Sequence, residues 1–290
     1  MGGAEAWPYG DLGIPPGRIV AIPNRGEFFV RDSGGDGPAV LLLHGWMFNA
    51  DLNWGLAYAP LVDAGYRVIA MDHRGHGRGL RSRQPFRLAA CAADCAAVLR
   101  EMDATGAIAV GYSMGGAITQ LLALEHRASV DGIVMCATSA HFSSPLMKRT
   151  WRAMPALRVA LGLGGAGAWE RALKQMGFPQ DDRSGWIAAE LSRGSARDLA
   201  EAGRELGRHD ARSWLRNIPQ PAASVITSAD NSVPPEFQND LAKGLDASVF
   251  EVHADHMAVA SHPVEFQEAL LAALADVASR AGSKRVSSVK

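Results

Sequence analysis

The stretch V-G-Y-S-M-G-G at residues 110–116 decides the fold, because it places one serine between glycines two positions away on either side. The apolar run I-A-V leads into it, and a helical pattern over residues 117–125 follows. A reversal from strand to helix strains the backbone of the turn residue, and side chains two positions before and after it would collide. Gly111 and Gly115 avoid that collision. The pattern therefore predicts a sharp turn that points the hydroxyl of Ser113 outward.

Outward from this turn, short apolar runs alternate with longer helical stretches. The predicted strands are Ala39–Leu43, Arg67–Met71, Ile108–Val110, Gly132–Cys136, Ala223–Thr227 and Ser248–Val252. The predicted helices are Trp54–Ala64, Arg87–Met102, Ser113–Glu125, Pro235–Gly244 and Pro263–Ala278. Runs that are apolar on both faces suit the buried strands of a parallel sheet. With a β-hairpin over residues 18–33, the alternation predicts an α/β fold with a mostly parallel, doubly wound sheet.

One interval breaks the alternation, since residues 137–222 are several times longer than a single helix with two short loops. The interval is rich in Trp, Leu and Met and contains G-L-G-G-A-G at residues 162–167, which favours several short helices around a glycine hinge. We predict a helical cap at residues 140–217, between core segments at 1–139 and 218–278. Extra helices of the core layer are the alternative. The small, polar and basic residues 279–290 predict a flexible tail.

Composition narrows the class of protein. The 290 residues are 48% hydrophobic and 20% charged, with a formal net charge of −1, as in an ordinary globular chain. No dense basic stripe precedes the last few residues, so neither nucleic acid nor an anionic membrane is expected as a partner. The odd count of three cysteines fits a reducing compartment. Since the amino terminus lacks a signal sequence and no apolar run reaches membrane-spanning length, we expect a cytoplasmic protein.

A serine hydroxyl attacks a carbonyl carbon only when a base takes its proton, and a histidine held by a carboxylate is the usual arrangement. Asp230 and His256 each follow one of the last two predicted strands, so both are expected at the same edge of the sheet as Ser113. His253 and Asp255 are alternative candidates. His256 is favoured over His253 because the chain needs several residues after the strand before it reaches the serine. We predict a triad of Ser113, Asp230 and His256.

The oxyanion of a tetrahedral intermediate needs two hydrogen-bond donors. The N–H of Met114 is expected at the amino terminus of the helix after Ser113, where negative charge is favoured. The second donor is expected in the segment H-G-W-M at residues 44–47, here called the 44–47 loop, as the N–H of Trp46. Candidates for the pocket wall are Met47, Trp151, Met154 and Trp186, although each of these side chains is equally suited to core packing.

Two groups of residues raise the question of a metal site. The segment D-H-R-G-H-G at residues 72–77 holds one aspartate and two histidines, yet its glycines are typical of a loop, and no further ligands are identifiable. Cys91 and Cys95 lie one helical turn apart in an alanine-rich run, which favours two small core residues. We therefore expect no metal site.

Five segments resemble the α/β-hydrolase superfamily and occur in that superfamily's order. They are H-G-W at 44–46, D-H-R-G-H-G at 72–77, G-Y-S-M-G-G at 111–116, D-N-S-V-P at 230–234 and D-H-M at 255–257. The resemblance extends from about residue 18 to residue 278. It implies the triad and the oxyanion hole named above, no cofactor, and a helical cap after the sixth strand.

The chain also departs from some members of that superfamily. Thr227 stands three residues before the predicted acid, where the superfamily often has glycine. Epoxide hydrolases and haloalkane dehalogenases use an aspartate nucleophile, so Ser113 argues against both. The H-G-G-G loop of one esterase group is absent from the sequence.

These residues predict a serine hydrolase, and within that class a carboxylic ester hydrolase for a small or medium apolar acyl substrate. A thioesterase, lactonase, perhydrolase or acyltransferase would use the same triad and differ in the acceptor. A ligand-binding protein on a hydrolase scaffold is the alternative from another class. The expected partner is a small-molecule acyl substrate, without nucleic acid or stable membrane association. The sequence does not indicate the acyl chain length or the oligomeric state.

Overall fold

The protein is described by a computed structural model covering residues 13–175 and 181–288. The amino terminus on which the expectation about signal sequences rests lies outside these residues. In the described part, one sheet contains eight strands in the order β1-β2-β4-β3-β5-β6-β7-β8. The strands are β1 Gly17–Ile22, β2 Gly26–Asp32, β3 Ala39–Leu43, β4 Arg67–Met71, β5 Ala107–Tyr112, β6 Val130–Cys136, β7 Ala222–Thr227 and β8 Ser248–Val252.

The direction of the strands confirms the predicted fold class. The hairpin β1–β2 is antiparallel and joins β4 in antiparallel fashion, whereas all the neighbours from β4 to β8 are parallel. Three predicted strands, β3, β4 and β8, match to the residue. Parallel neighbours place their carboxyl ends at one edge of the sheet, so the loops after β3, β5, β7 and β8 all emerge there.

Helices cover both faces of the sheet and its carboxyl edge. Those in the described residues are α1 Ala50–Trp54, α2 Tyr58–Asp63, α3 Leu88–Glu101, α4 Met114–Glu125, α5 Pro145–Arg152, α6 Met154–Gly164, α7 Ala166–Gln175, α8 Asp182–Ser192, α9 Ala196–Leu206, α10 Pro235–Leu245, α11 Ala258–Ser261 and α12 Pro263–Ser288. Two short 3-10 turns lie at Arg127–Ser129 and Leu215–Asn217.

The predicted helix Trp54–Ala64 is wrong, because the structure forms the two short helices α1 and α2 instead. The side chain of Asn49 accepts a hydrogen bond from the N–H of Leu52, which caps α1 and starts it four residues before Trp54. Pro60, which has no N–H, lies in the first turn of α2, where no intrahelical donor is needed.

The core has two layers because successive strand residues point to opposite faces of the sheet. Leu41 and Leu43 of β3 pack in one cluster with Cys91 and Cys95 of α3, while Leu42 packs in the other cluster. That second cluster includes α1, α2 and α12. Both cysteines are buried, and burial raises the pKa of the Cys91 thiol, so they behave as small core residues.

Between β6 and β7 the chain forms α5 to α9, all within the segment predicted as a cap. Helix α6 packs on α9, α7 packs on α8, and α9 also contacts α3 of the core. The predicted glycine hinge falls at Gly165, whose φ of 62° lies in the left-handed region between α6 and α7. The boundaries of the cap at residues 140 and 217 remain a prediction.

Helix α12 runs to Ser288, so the segment predicted as a flexible tail is helical over residues 279–288. Arg280 extends the helix past Ala278, because its guanidinium donates a hydrogen bond of 3.0 Å to Asp276 one turn earlier. Residues 289 and 290 lie outside the described part. None of the described helices, α12 included, combines the length and apolarity needed to cross a bilayer.

Candidate active site

Ser113 occupies a strained turn between the end of β5 and the start of α4. Its φ of 53° and ψ of −113° are unfavourable for a residue with a side chain. A Cβ atom at Gly111 would strike the carbonyl of Gly115 and the hydroxyl of Thr119, and one at Gly115 would strike the carbonyl of Leu43. The two glycines are therefore required sterically, for the reason that the sequence pattern indicates.

The structure brings Ser113, Asp230 and His256 together. The imidazole Nε2 of His256 lies 3.1 Å from the Oγ of Ser113, and its Nδ1 lies 2.7 Å from Oδ2 of Asp230. The three residues follow β5, β7 and β8, whose carboxyl ends share one edge of the sheet. A proton on Nδ1, shared with the carboxylate, leaves the Nε2 lone pair facing the serine hydroxyl.

The carboxylate of Asp230 is buried and fully hydrogen-bonded. Its Oδ1 accepts bonds of 2.8 Å from the N–H groups of Ser232 and Val233. Its Oδ2 accepts a bond of 2.9 Å from the hydroxyl of Thr227, in addition to the bond from His256. Thr227 thus adds a donor to the carboxylate at the position where the resembling proteins often have glycine.

His253 and Asp255, the alternative candidates, make other contacts. The ring of His253 is exposed and lies 3.1 Å from the hydroxyl of Ser228. Asp255 accepts a bond of 2.8 Å from the N–H of Met257, which stabilises the turn that carries His256. Tyr112, which sequence reasoning missed, donates its hydroxyl to the carbonyl of His256 at 2.7 Å and so holds the backbone of that turn.

The 44–47 loop runs beside Ser113. A Cβ atom at Gly45 would lie 3.6 Å from the Cβ of Ser113, which is ordinary contact distance. The N–H of Gly45 donates to the side-chain oxygen of Asn53 at 2.8 Å, so this donor is already engaged. The next N–H in the loop belongs to Trp46, whose side chain lines the same cavity as Ser113.

A cavity of about 220 Å³ opens onto Ser113 and His256. It lies between the sheet edge and helix α5. Its other lining residues are Gly45, Trp46, Phe48, Tyr112, Phe142, Leu146, Met147, Thr150, Trp151, Leu206, Ser232 and Val233. No Asp, Glu, Lys or Arg is among these lining residues.

The predicted wall residues have mixed outcomes. Trp151 lines the cavity, whereas Met47, Met154 and Trp186 are not among its lining residues. Met154 is buried against Gly203 between α6 and α9, and Trp186 lies on α8, which packs on α7 away from the cavity. Met47 has a left-handed φ of 68°, and the residues on either side of it, Trp46 and Phe48, line the cavity.

Sequence reasoning missed the other lining residues of α5 and of the segment before it. Leu146 with Thr150 and Met147 with Trp151 recur at a spacing of four, which places them on one side of a helix. That spacing was the available signal. Phe142 precedes α5 and left no comparable pattern.

The D-H-R-G-H-G segment contacts the 44–47 loop. Asp72 accepts bonds from the N–H groups of Ala50 and Arg78, and burial raises its pKa to about 6. Burial also lowers the pKa of His73 to about 3, so its ring is neutral. The N–H of His73 donates to Nε2 of His44 at 3.0 Å. Within residues 13–175 and 181–288, no three His, Cys, Asp or Glu side chains are grouped as metal ligands.

The chain is similar in sequence to several known proteins. The non-heme haloperoxidase of Rhodococcus erythropolis is 36% identical over 132 residues, which cover 46% of each chain. The bifunctional esterase/perhydrolase DCH of Acinetobacter calcoaceticus is 35% identical over 91 residues, covering 31% of this chain and 33% of that protein. The matches thus span half or less of the length of these curated relatives.

A solved structure extends the likeness of the fold. The esterase EaEST of Exiguobacterium antarcticum superposes with a TM-score of 0.74 at 21% identity, covering 89% of this chain and 98% of that one. A model of the alpha/beta hydrolase family matches residues 40–269, most of the chain. The chain therefore belongs to the alpha/beta hydrolase family.

Proposed function

We propose that this hydrolase is a serine hydrolase that cleaves carboxylic esters of small, uncharged acyl groups. The observation that carries the proposal is the position of His256, 3.1 Å from the Ser113 oxygen and 2.7 Å from the Asp230 carboxylate. Relatives and solved structures whose names include esterase support the same reaction class.

The reaction begins when the Oγ of Ser113 attacks the ester carbonyl carbon while Nε2 of His256 takes the hydroxyl proton. The resulting oxyanion accepts hydrogen bonds from the backbone N–H groups of Trp46 and Met114. Met114 is the first residue of α4, so its N–H lies at the positive end of that helix. Asp230 orients the imidazole and stabilises its protonated form.

Collapse of the intermediate breaks the bond to the alcohol oxygen, and His256 gives that oxygen its proton. Water then attacks the acyl-enzyme while His256 accepts one of its protons, and the proton returns to Ser113 as the carboxylic acid leaves. Because His256 must be neutral to accept a proton, turnover should fall in acid.

The cavity supports this substrate class. Its volume of about 220 Å³ is below the usual range for drug-sized ligands, about 300–1,000 Å³. Its wall is mostly apolar, and within the described part of the chain no lysine or arginine lines it to compensate a second carboxylate. Short, uncharged acyl chains therefore fit better than dicarboxylic or long-chain substrates.

Replacement of the nucleophile tests the proposal. Ser113→Ala should lower kcat for p-nitrophenyl butyrate by at least about 10³-fold, because the acyl-enzyme cannot form. Thermal unfolding by circular dichroism should match that of the wild type. Turnover near the wild-type rate in a folded Ser113→Ala protein contradicts the assignment.

A second activity is favoured by the relatives named haloperoxidase and esterase/perhydrolase. Hydrogen peroxide would replace water as the nucleophile on the acyl-enzyme, releasing a peracid and free Ser113. With acetate, hydrogen peroxide and bromide, the wild type should oxidise bromide faster than buffer does, and Ser113→Ala should not. Equal rates with and without enzyme exclude this second activity.

A further inference from the structure

The side chain of Trp46 is held by the cap, although its backbone N–H is the proposed oxyanion donor. The indole N–H donates to the carbonyl of Leu199 on α9 at 2.8 Å, across 153 positions of sequence. Its ring packs edge-on against Trp151 of α5 at 5.4 Å. A Cβ atom at Gly203 of α9 would lie 3.2 Å from the indole, so the ring also packs closely against that helix.

A second connection reaches the same loop from α8. Glu190 of α8 is 3% exposed, and its Oε2 accepts a bond of 2.6 Å from the side chain of Asn49. Asn49 caps α1, and Asn53 on that helix accepts the N–H of Gly45 at 2.8 Å. The other oxygen of Glu190 accepts from Arg78 of the core at 2.8 Å. The peptide unit that carries the Trp46 N–H lies between Gly45 and Trp46. Both of these residues are therefore connected to the cap.

The loop needs such support because its backbone is strained. Met47 has a φ of 68°, a conformation that is unfavourable for a residue with a side chain and persists only where the surroundings hold it. An oxyanion donor loses its effect when it is displaced by a fraction of an ångström from the position that the negative charge occupies.

We propose that Trp46 and Glu190 are positioning residues, Trp46 by means of its indole side chain. Through these two residues, docking of α8 and α9 sets the position of the 44–47 loop for oxyanion binding. The inference rests on the proposed function. It makes the cap part of the catalytic geometry as well as the wall of the pocket.

The direct test is Trp46→Phe, which keeps the backbone N–H and most of the packing but removes the bond to Leu199. The expected result is a fall in kcat of about 10-fold, less than the 10²–10³-fold cost of losing an oxyanion donor outright. KM for p-nitrophenyl butyrate should change less than about 2-fold, because ground-state binding is retained. The inhibition constant of a trifluoromethyl ketone, whose adduct with Ser113 is an oxyanion, should rise in parallel with the fall in kcat.

Glu190→Gln provides an independent test, since it removes the charge of the buried carboxylate and weakens its bonds to Asn49 and Arg78. We expect kcat to fall about 3- to 10-fold with the same parallel rise in the inhibition constant. Glu201→Gln is the matched control. Glu201 of α9 also joins cap to core, by accepting the N–H of Phe86 at 2.7 Å, but this contact does not lead to the 44–47 loop.

The outcomes separate the two proposals. Active Ser113→Ala enzyme refutes the proposed function. Inactive Ser113→Ala enzyme with wild-type kcat and inhibitor affinity in both Trp46→Phe and Glu190→Gln refutes only the positioning role. An equal loss in Glu201→Gln also refutes it, because general loosening of the cap would then explain the effect. Thermal unfolding of each variant identifies any protein that fails to fold.

Discussion

The turn at Ser113 and the cap above it are built in opposite ways. The turn is enclosed by backbone, so that a single Cβ atom at Gly111 or Gly115 meets main-chain atoms. Helix α6 of the cap leaves Val159 and Leu163 61% and 84% exposed. Polar contacts, those of the buried Glu190 among them, connect the cap to the core. The turn therefore depends on close contact with backbone atoms, whereas the cap is held by contacts between side chains and leaves apolar residues exposed.

This comparison predicts that the largest effects on rate arise at the sheet edge. Asp230→Asn should lower kcat about 10⁴-fold with little change in KM, because the amide favours the wrong tautomer of His256. Steady-state kinetics with p-nitrophenyl butyrate measure both constants. A loss below about 10-fold would show that the carboxylate is not required to orient the imidazole.

The next prediction concerns stability on the two sides of the comparison. Gly115→Ala should lower the free energy of unfolding by about 3 kcal/mol or more, since its methyl group meets the Leu43 carbonyl. Gly185→Ala is the cap counterpart, inside α8 with open space around it, and should raise that free energy by about 0.5–1 kcal/mol. Urea denaturation measures both. Similar values for the two variants would remove the contrast between turn and cap.

The pH dependence of stability tests the junction of cap and core. Burial lowers the pKa of His209 to about 4. The stability that the neutral buried ring contributes is therefore fully present above the ordinary histidine pKa of 6.5 and is lost as pH falls toward 4. The loss amounts to at most about 3 kcal/mol. His209→Gln, which keeps a donor for Gln120, should therefore lose less stability between pH 7 and pH 5 than the wild type.

The matched control for that prediction is His253→Gln, because the ring of His253 is exposed. Its denaturation midpoints at pH 7 and pH 5 should follow those of the wild type. If His209→Gln also follows the wild type, the buried ring at the junction does not set the acid sensitivity.

The last prediction concerns substrate selectivity, which a change in the cap should alter. Met147→Ala enlarges the cavity by several carbon volumes, so the ratio of kcat/KM for octanoate over butyrate esters should rise about 10-fold. Leu163→Ala, on an exposed position of α6, should leave the ratio unchanged. An unchanged ratio in Met147→Ala would mean that α5 does not limit acyl length.

The same contrast explains what could be predicted from sequence. Strand periodicity and the steric demands of glycine act over a few residues. The sequence could therefore predict β3, β4 and β8 and the strained turn at Ser113. The order of Ser113, Asp230 and His256 follows from the common edge of a parallel sheet. The pocket wall depends on how α5 to α9 pack over long separations. That packing buries Met154 within the cap, between α6 and α9, and brings Phe142 to the cavity. No local sequence pattern distinguishes the two residues.

The central claim, that His256 and Asp230 activate Ser113, is tested most directly by labelling with a fluorophosphonate and mapping the adduct by mass spectrometry. The account predicts one adduct, on the peptide that contains Ser113, formed rapidly by the wild type and at least about 10²-fold more slowly by His256→Ala. Labelling at another residue, or equal rates in the two proteins, would contradict it.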